Sequence, residues 1–202
     1  MTVPQTDHLV ISPSIHYVGT PVMLLGTLNP DGTTNLSAAS SFWALGQNLV
    51  IGLETDSRTY DNVTAHQELT VNFPSPHLWE AVERIADTTG RDPVPDAKAS
   101  RYRFEADKFA LAGLTPARSD VVAPPRVAEC ALTLEAQIKR ITPGIGPYAI
   151  VESEVVRVHA APRIVKPGTQ HVNPRAWQPL IYSYRHYFAI GDELGFRPTS
   201  DT

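Results

Sequence analysis

The run Ser57-Arg58-Thr59-Tyr60-Asp61-Asn62 places hydroxyls, a guanidinium and a carboxamide within six positions. Ser57 is a capping residue type and no proline interrupts the chain as far as Ala65, so a short helix is expected to begin here. Free N–H groups and the positive end of the helix dipole, joined by Arg58 and the hydroxyls of Ser57 and Thr59, form the chemistry that grips a phosphate dianion. The dipole contributes roughly 0.3–1 kcal/mol at an exposed end, and charge-assisted hydrogen bonds are about twice as strong as neutral ones. A phosphomonoester therefore needs no basic surface overall. Upstream, the stretch from Asn35 to Trp43 is dense in small and hydroxyl residues, including Ser37, Ala38, Ala39, Ser40 and Ser41. Small side chains let a flat ligand approach the backbone, where N–H and C=O groups bond to its edge. Taken alone, the run at 57–62 is more simply an ordinary capped helix.

Other chemistries find no support. The sequence holds no GxSxG elbow, no HExxH pair and no phosphate loop ending in GK[ST]. Gly144-Ile145-Gly146-Pro147-Tyr148-Ala149 matches a dinucleotide pattern, but Pro147 and the β-rich continuation through Ile150, Val151, Val155 and Val156 predict a hairpin loop. The seven histidines are scattered, and no two share the spacing that puts both imidazoles on one metal. Cys130, the single cysteine, excludes an intramolecular disulfide and reads as a buried inert thiol; Trp43, Trp79 and Trp177 read as core or interface residues.

The elements that must carry these residues are short. Eighteen prolines favour many brief segments separated by firm turns. A buried strand is expected from Thr20 to Leu28, a type I turn at Asn29-Pro30-Asp31-Gly32, a return through Thr33–Trp43, and a strand at 49–53 apolar on both faces. After a strand at Leu69–Phe73, Ser75-Pro76 starts a helix with Leu78, Val82 and Ile85 on one stripe. In that helix Glu80 and Arg84 are spaced to pair, and Gly90 is placed to close the end. The Pro-, Asp- and Ala-rich stretch from Arg91 to Arg126 reads as an excursion from one domain, with a one- or two-turn helix ending at Gly113 and a position from which it covers a ligand. Beyond it, Cys130, Leu132, Leu134, Ala136 and Ile138 alternate with Ala131, Thr133, Glu135, Gln137 and Lys139, which predicts a half-buried strand. Short turn-bounded strands with two or three helices mean a mainly β barrel or sandwich in a single domain.

Length and charge narrow the partners. At 202 residues and net charge −4, the chain has room for one core and no basic run to track nucleic acid. The longest apolar stretch is too short to span a bilayer, and MTVPQTDHLV lacks the basic start and apolar run of a secretory signal, so a cytoplasmic protein is expected.

The order of Thr20-Pro-Val, the Asn29-Pro-Asp-Gly turn, Asn35-Leu-Ser-Ala-Ala-Ser-Ser-Phe-Trp, Ser57-Arg-Thr-Tyr-Asp-Asn and Val71-Asn-Phe-Pro-Ser resembles the flavin reductase-like, FMN-binding split-barrel family. Gly113-Leu114, Ala128-Glu-Cys-Ala and Glu154-Val-Val extend the likeness, which covers Val18 to His159 and rests on order and spacing. The resemblance implies a Greek-key split β-barrel with a few short peripheral helices, its core at about residues 18–160 and residues 161–202 packing on the barrel or a partner. It implies a homodimer with FMN (or FAD) near the interface, and hydride transfer from NAD(P)H to flavin N5. A partner monooxygenase would receive the reduced flavin in one version of that chemistry. Position by position, it puts Asn35, Ser40, Ser41, Phe42 and Trp43 along the flavin, and Ser57, Arg58, Thr59 and Asn62 at the phosphate, with Arg58 standing where many relatives have lysine. Arg185, His186 and Tyr187 match only loosely and carry no assigned role. Two alternatives are a flavin electron carrier without NAD(P)H turnover, and a split barrel holding a deazaflavin or a haem ligated by His66 or His186. A third is a small-molecule binding module with no redox role.

Overall fold

In the computed structural model, which describes residues 8–195, the apolar run from Thr20 divides at Val22. Residues 1–7, on which the expectation about a secretory signal falls, and residues 196–202 of the C-terminal extension lie outside the described residues. Thr20–Pro21 joins a small sheet with Ile181–Ser183 and His186–Phe188, because Pro21 lacks the N–H that a central position requires. Val22 N–H donates instead to the Leu180 carbonyl at 2.9 Å.

Seven strands then form the main antiparallel sheet: β1 (Met23–Leu28), β2 (Thr34–Ala39), β3 (Phe42–Leu45), β4 (Asn48–Glu54), β5 (Glu68–Phe73), β6 (Leu132–Pro143) and β7 (Tyr148–Ala160). Their spatial order is β2-β1-β5-β6-β7-β4-β3, so β2 and β3 are opposite edges. Only Ser40 and Ser41 separate these two edge strands along the chain. The sheet must therefore curl until its edges meet at that corner, where Gly52 N–H donates to the Ser41 carbonyl at 3.1 Å. This is a split barrel.

Successive residues from Val22 to Leu25 serve two cores. Met23 and Leu25 point into the barrel with Ile51, Val71, Ala136 and Val151. Val22 and Leu24 face outward against Val82, Ile85 and Phe109. The β1–β2 turn forms as expected: Gly32 N–H donates to the Asn29 carbonyl at 2.9 Å, with Gly32 at φ +83°. The strand at 49–53 differs from expectation. Leu49, Ile51 and Leu53 are buried, but Val50 is only half-buried and Gly52 is exposed, because that face borders a cleft and solvent.

Among the described residues three α-helices lie outside the sheet: α1 (Arg58–His66), α2 (Trp79–Ala86) and α3 (Lys108–Ala112). Pro76–Leu78 forms a tighter 3-10 turn before α2, and the Ser75 hydroxyl makes no cap; it accepts the Trp177 indole N–H at 2.9 Å. Val82 and Ile85 are buried as expected. Arg84 does not pair with Glu80: its guanidinium donates to the Ala112 carbonyl at 2.6 Å, satisfying the end of α3. Nor does Gly90 close α2, which ends at Ala86; Gly113, at φ +69°, does close α3.

The largest departure is on β6. Thr133 and Glu135, expected on a solvent face, are buried. The far half of the excursion, whose Pro116–Ala117 and Arg126–Val127 pair with each other, folds back over that face. Cys130 is buried too, but it precedes the strand and packs in the outer core with Leu24 and Phe109, whereas Leu132 and Leu134 pack on the inner one. Residues 143–148 form the β6–β7 hairpin turn, with Gly146 at φ +84°. The described C-terminal extension returns to the barrel through Ile164 and Leu180, both buried. Among the described residues no helix is long and apolar enough to cross a membrane.

Candidate functional site

The closing corner of the barrel is also one wall of a cleft of about 360 Å³. Ser40, Ser41 and Gly52 line one end, with Tyr17 and Tyr148 beside them. Both hydroxyls are committed to the frame. The Ser40 hydroxyl lies 2.6 Å from Thr20 Oγ1 and donates to the Pro21 carbonyl at 3.0 Å, and Ser41 Oγ lies 2.6 Å from the Tyr17 hydroxyl. What this end offers a ligand is backbone and small side chains. A Cβ on Gly52 would stand 3.0 Å from Ser41 Cβ, so the close approach of strand and corner depends on that glycine.

The other end is built by the start of α1 and by residues 85–108. Ser57 caps the helix as expected: its Oγ accepts the Tyr60 N–H at 3.2 Å and donates to the Glu54 carbonyl at 2.7 Å. Arg58 Nε donates to the Gly90 carbonyl at 2.9 Å. Its terminal nitrogens stay loosely held, 3.8 Å from Asp61, because Arg91 takes that carboxylate through two closer bonds at 2.8 and 2.5 Å. The Arg58 charge is therefore positioned and left open to a ligand. Gly90 is required here, since a Cβ would sit 2.7 Å from Asn35 Oδ1 and 3.0 Å from Arg58 Cγ.

The structure thus brings Ser40, Ser41, Ser57, Arg58 and Thr59 to one cleft. Four other expected residues lie elsewhere. Asn62 is 1% exposed and donates to Thr27 Oγ1 and Asn29 Oδ1, both at 3.0 Å. Asn35 donates to Thr27 Oγ1 at 3.2 Å and Thr59 Oγ1 at 3.1 Å, and borders an adjoining depression. These two carboxamides clamp α1 to the β1–β2 hairpin and set the height of its first turn. Phe42 packs edge-on against Phe73 with ring centres 5.6 Å apart. Trp43 is 52% exposed on the edge strand; register places it beside Val50. Exposed Ile150 and Tyr148 lie two strands further on, and Tyr148 also lines the cleft.

Two lysines of the excursion were missed in the sequence. Lys98 reaches Glu54 at 2.5 Å and Asp56 at 2.9 Å; burial opposes its charge, but these two carboxylates outweigh it and raise its pKa. Lys108 also lines the cleft, is 4% exposed and stands in no ion pair with the described residues. No local signal marks either one, since both are single lysines in a polar, irregular stretch.

The remaining candidates form separate features. Among the described residues no histidine lines the cleft: His66 is exposed at the end of α1, and His186 in the C-terminal hairpin. Neither is positioned to ligate a haem there. Arg185, at φ +70°, turns that hairpin, and the half-buried Tyr187 donates to Glu83 at 2.9 Å; burial and that carboxylate push its hydroxyl well above the usual range. With Trp79 these residues border a different depression. Asp120, Glu135 and His159 converge, yet Glu135 already accepts N–H bonds from Asp120, Val121 and Val122 at 2.6–2.9 Å and lies 2.6 Å from His159 Nε2. Burial opposes its charge, but those donors hold its pKa down at about 2.

Comparison with known proteins agrees with this geometry. A model of the flavin reductase like domain matches residues 15–191. YdfE of Bacillus subtilis (strain 168) is 42% identical over 195 residues, covering 95% of this chain and 94% of that protein. Among solved structures, flavoredoxin of Desulfovibrio vulgaris (Miyazaki F) superposes with a TM-score of 0.78 at 19% identity, covering 98% of this chain and all of that one. Nitrilotriacetate monooxygenase component B from Bacillus cereus gives 0.74 at 18% identity, covering 95% and 100%. The NADH:FAD oxidoreductase SgcE6 of Streptomyces globisporus C-1027 gives 0.68 at 16% identity, covering 93% and 100%. At these identities the three structures speak for the fold, and the domain match carries the assignment: the chain belongs to the flavin reductase-like family.

Proposed function

We propose that the protein is a flavin-dependent oxidoreductase that binds FMN in the cleft and accepts hydride from NAD(P)H. The observation that carries the reading is Arg58, anchored through Nε on Gly90 with its terminal nitrogens open to the cleft beside the start of a capped helix. A cation and a helix N-terminus at one end, with small residues and open backbone at the other, suit a ligand with an anionic tail and a flat head. Arg58 and the first turn of α1 hold the phosphate. Ser40, Ser41 and Gly52 bound the ring, and backbone N–H groups at the corner favour negative charge there. A bound flavin supplies the redox chemistry, so the chain needs no nucleophile–base pair. Asn35 and Asn62 support this site from behind.

Four further parts complete the reading. The whole chain acts as a single domain, since the C-terminal extension buries Ile164 and Leu180 against the barrel. A homodimer covers the exposed face around Trp43 and Ile150, which abuts the cleft at Tyr148. The reduced flavin serves an acceptor such as a partner monooxygenase, an arrangement suggested by the name of the Bacillus cereus neighbour. A cytoplasmic setting suits a nicotinamide-linked reductase.

Titration of purified full-length protein with FMN tests the reading. Saturation at 100 times the dissociation constant should add about 2.7 kcal/mol of stability. Anaerobic NADH or NADPH should then bleach the flavin band within catalytic times. Binding without bleaching would make the protein an electron carrier, the role suggested by its likeness to a flavoredoxin. Absence of both binding and thermal shift would overturn the flavin assignment.

A further inference from the structure

Aromatic side chains from distant parts of the chain stand in unbroken contact between the cleft and the protein surface. Tyr17 lines the cleft, its hydroxyl 2.6 Å from Ser41 Oγ. Its ring meets Tyr182 edge-on with centres 5.7 Å apart; Tyr182 meets Tyr187 at 5.5 Å, and Tyr187 meets Trp79 at 6.3 Å. These are the spacings of touching rings. Trp79, 45% exposed at the start of α2, ends the series in solvent. We propose that Tyr17, Tyr182, Tyr187 and Trp79 form a relay that carries one-electron oxidising equivalents out of the cleft to the surface. This rests on the flavin reading for the oxidant, an isoalloxazine ring excited by blue light.

The fold assembles the series from both ends of the chain. Tyr182 and Tyr187 are cross-strand partners in the C-terminal hairpin, whose turn holds Tyr184 and Arg185 at φ +44° and +70°. The Tyr184 N–H donates to the Tyr17 carbonyl at 3.0 Å, which ties the cleft ring to that hairpin. Packing alone would be served by phenylalanine. Oxidation, by contrast, turns a phenol into a strong acid, so a tyrosine that keeps the oxidising equivalent needs a base on its hydroxyl. Tyr187 has one: it donates to Glu83 Oε2 at 2.9 Å. Burial and that same carboxylate keep the phenol protonated at rest. In the proposed step Tyr17 gives one electron to the excited ring and regains it from Tyr182, which regains it from Tyr187. The Tyr187 proton passes to Glu83. A thiolate in solution then returns one electron to Tyr187 through exposed Trp79, and Glu83 returns the proton. The net change is a ring reduced by one electron and a thiolate oxidised to a thiyl radical.

Full-length protein saturated with FMN, irradiated with blue light without oxygen or nicotinamide and then frozen, reads the relay by electron paramagnetic resonance. Wild type should show a neutral tyrosyl radical, and Tyr187→Phe, which keeps the ring and removes the hydroxyl, should lose it. With dithiothreitol present, light should bleach the flavin several-fold more slowly in Trp79→Phe than in wild type, while bleaching by NADH or NADPH in the dark is the same in both. A second measurement needs no flavin: azidyl radicals from pulse radiolysis oxidise tryptophan first, and the tyrosyl radical that follows should fall in Trp79→Phe and in Tyr187→Phe. No tyrosyl radical in FMN-loaded wild type, an undiminished one in Tyr187→Phe, or equal yields after radiolysis overturns the relay and leaves the flavin reading standing. Failure of wild type to bind FMN overturns both.

Discussion

Glu135 and Lys108 are both buried charges held by the same excursion, and they are satisfied to opposite degrees. Glu135, fully buried, receives three backbone N–H groups and the His159 imidazole. Lys108, 4% exposed, stands in no ion pair with the described residues and lines the cleft. A buried charge with every lone pair engaged is a fastener: it pins residues 120–122 onto β6 and has no capacity left for a ligand. A buried lysine outside any ion pair, whose charge burial opposes, costs the fold stability and borders the cleft instead of fastening the barrel. The first half of the excursion thus serves the cleft, and the second half serves the barrel.

The largest effect that would break this contrast is at Glu135. Glu135→Ala orphans three N–H groups and His159, and should cost about 3–5 kcal/mol in denaturant unfolding. A loss below about 1 kcal/mol would mean that the clasp is incidental. At the cleft, Arg58→Ala should weaken FMN about 10–100-fold, roughly 1.4–2.8 kcal/mol, while riboflavin affinity stays within about twofold, measured by fluorescence quenching. Equal losses for the two ligands would show that Arg58 does not meet the phosphate.

Lys108→Met should move stability the other way from Glu135→Ala, raising it by about 1–2 kcal/mol at pH 7 in the absence of ligand. The two groups also give opposite pH dependences. The folded pKa of Glu135, about 2, lies below its ordinary 4.5, so its contribution is complete above pH 4.5 and is lost as pH falls toward 2. The folded pKa of Lys108, about 8, lies below 10.5, so the unfolded chain binds more protons between those values and stability rises with pH across that window. Thermal melts at stepped pH check both slopes. Cys130→Ala supplies the neutral control: a buried thiol contributes packing alone, so about 1 kcal/mol of stability should go and flavin turnover should be unchanged.

Several features were legible before any coordinates because they are local. The Asn29–Gly32 turn, the Ser57 cap, the Gly113 helix end and the hairpin at 143–148 each depend on residues a few positions apart. It was the family resemblance that grouped Ser40, Ser41, Ser57, Arg58 and Thr59, five residues that the fold lines along one cleft. The misreadings share one cause. Glu135 looks solvent-facing in an alternating strand, Arg84 looks paired with Glu80, and Gly90 looks like a cap, until a distant segment arrives.

The chain order alone determined that short strands, firm turns and a capped helix would form, because dihedral preference and alternation act between near neighbours. Which buried charge is clasped by hydrogen bonds and which borders the cleft was decided only in three dimensions. Desolvation and hydrogen bonding depend on what closes over a group, and residues 91–126 close over partners both before and after them in the chain. No window of sequence contains both sides of that contact.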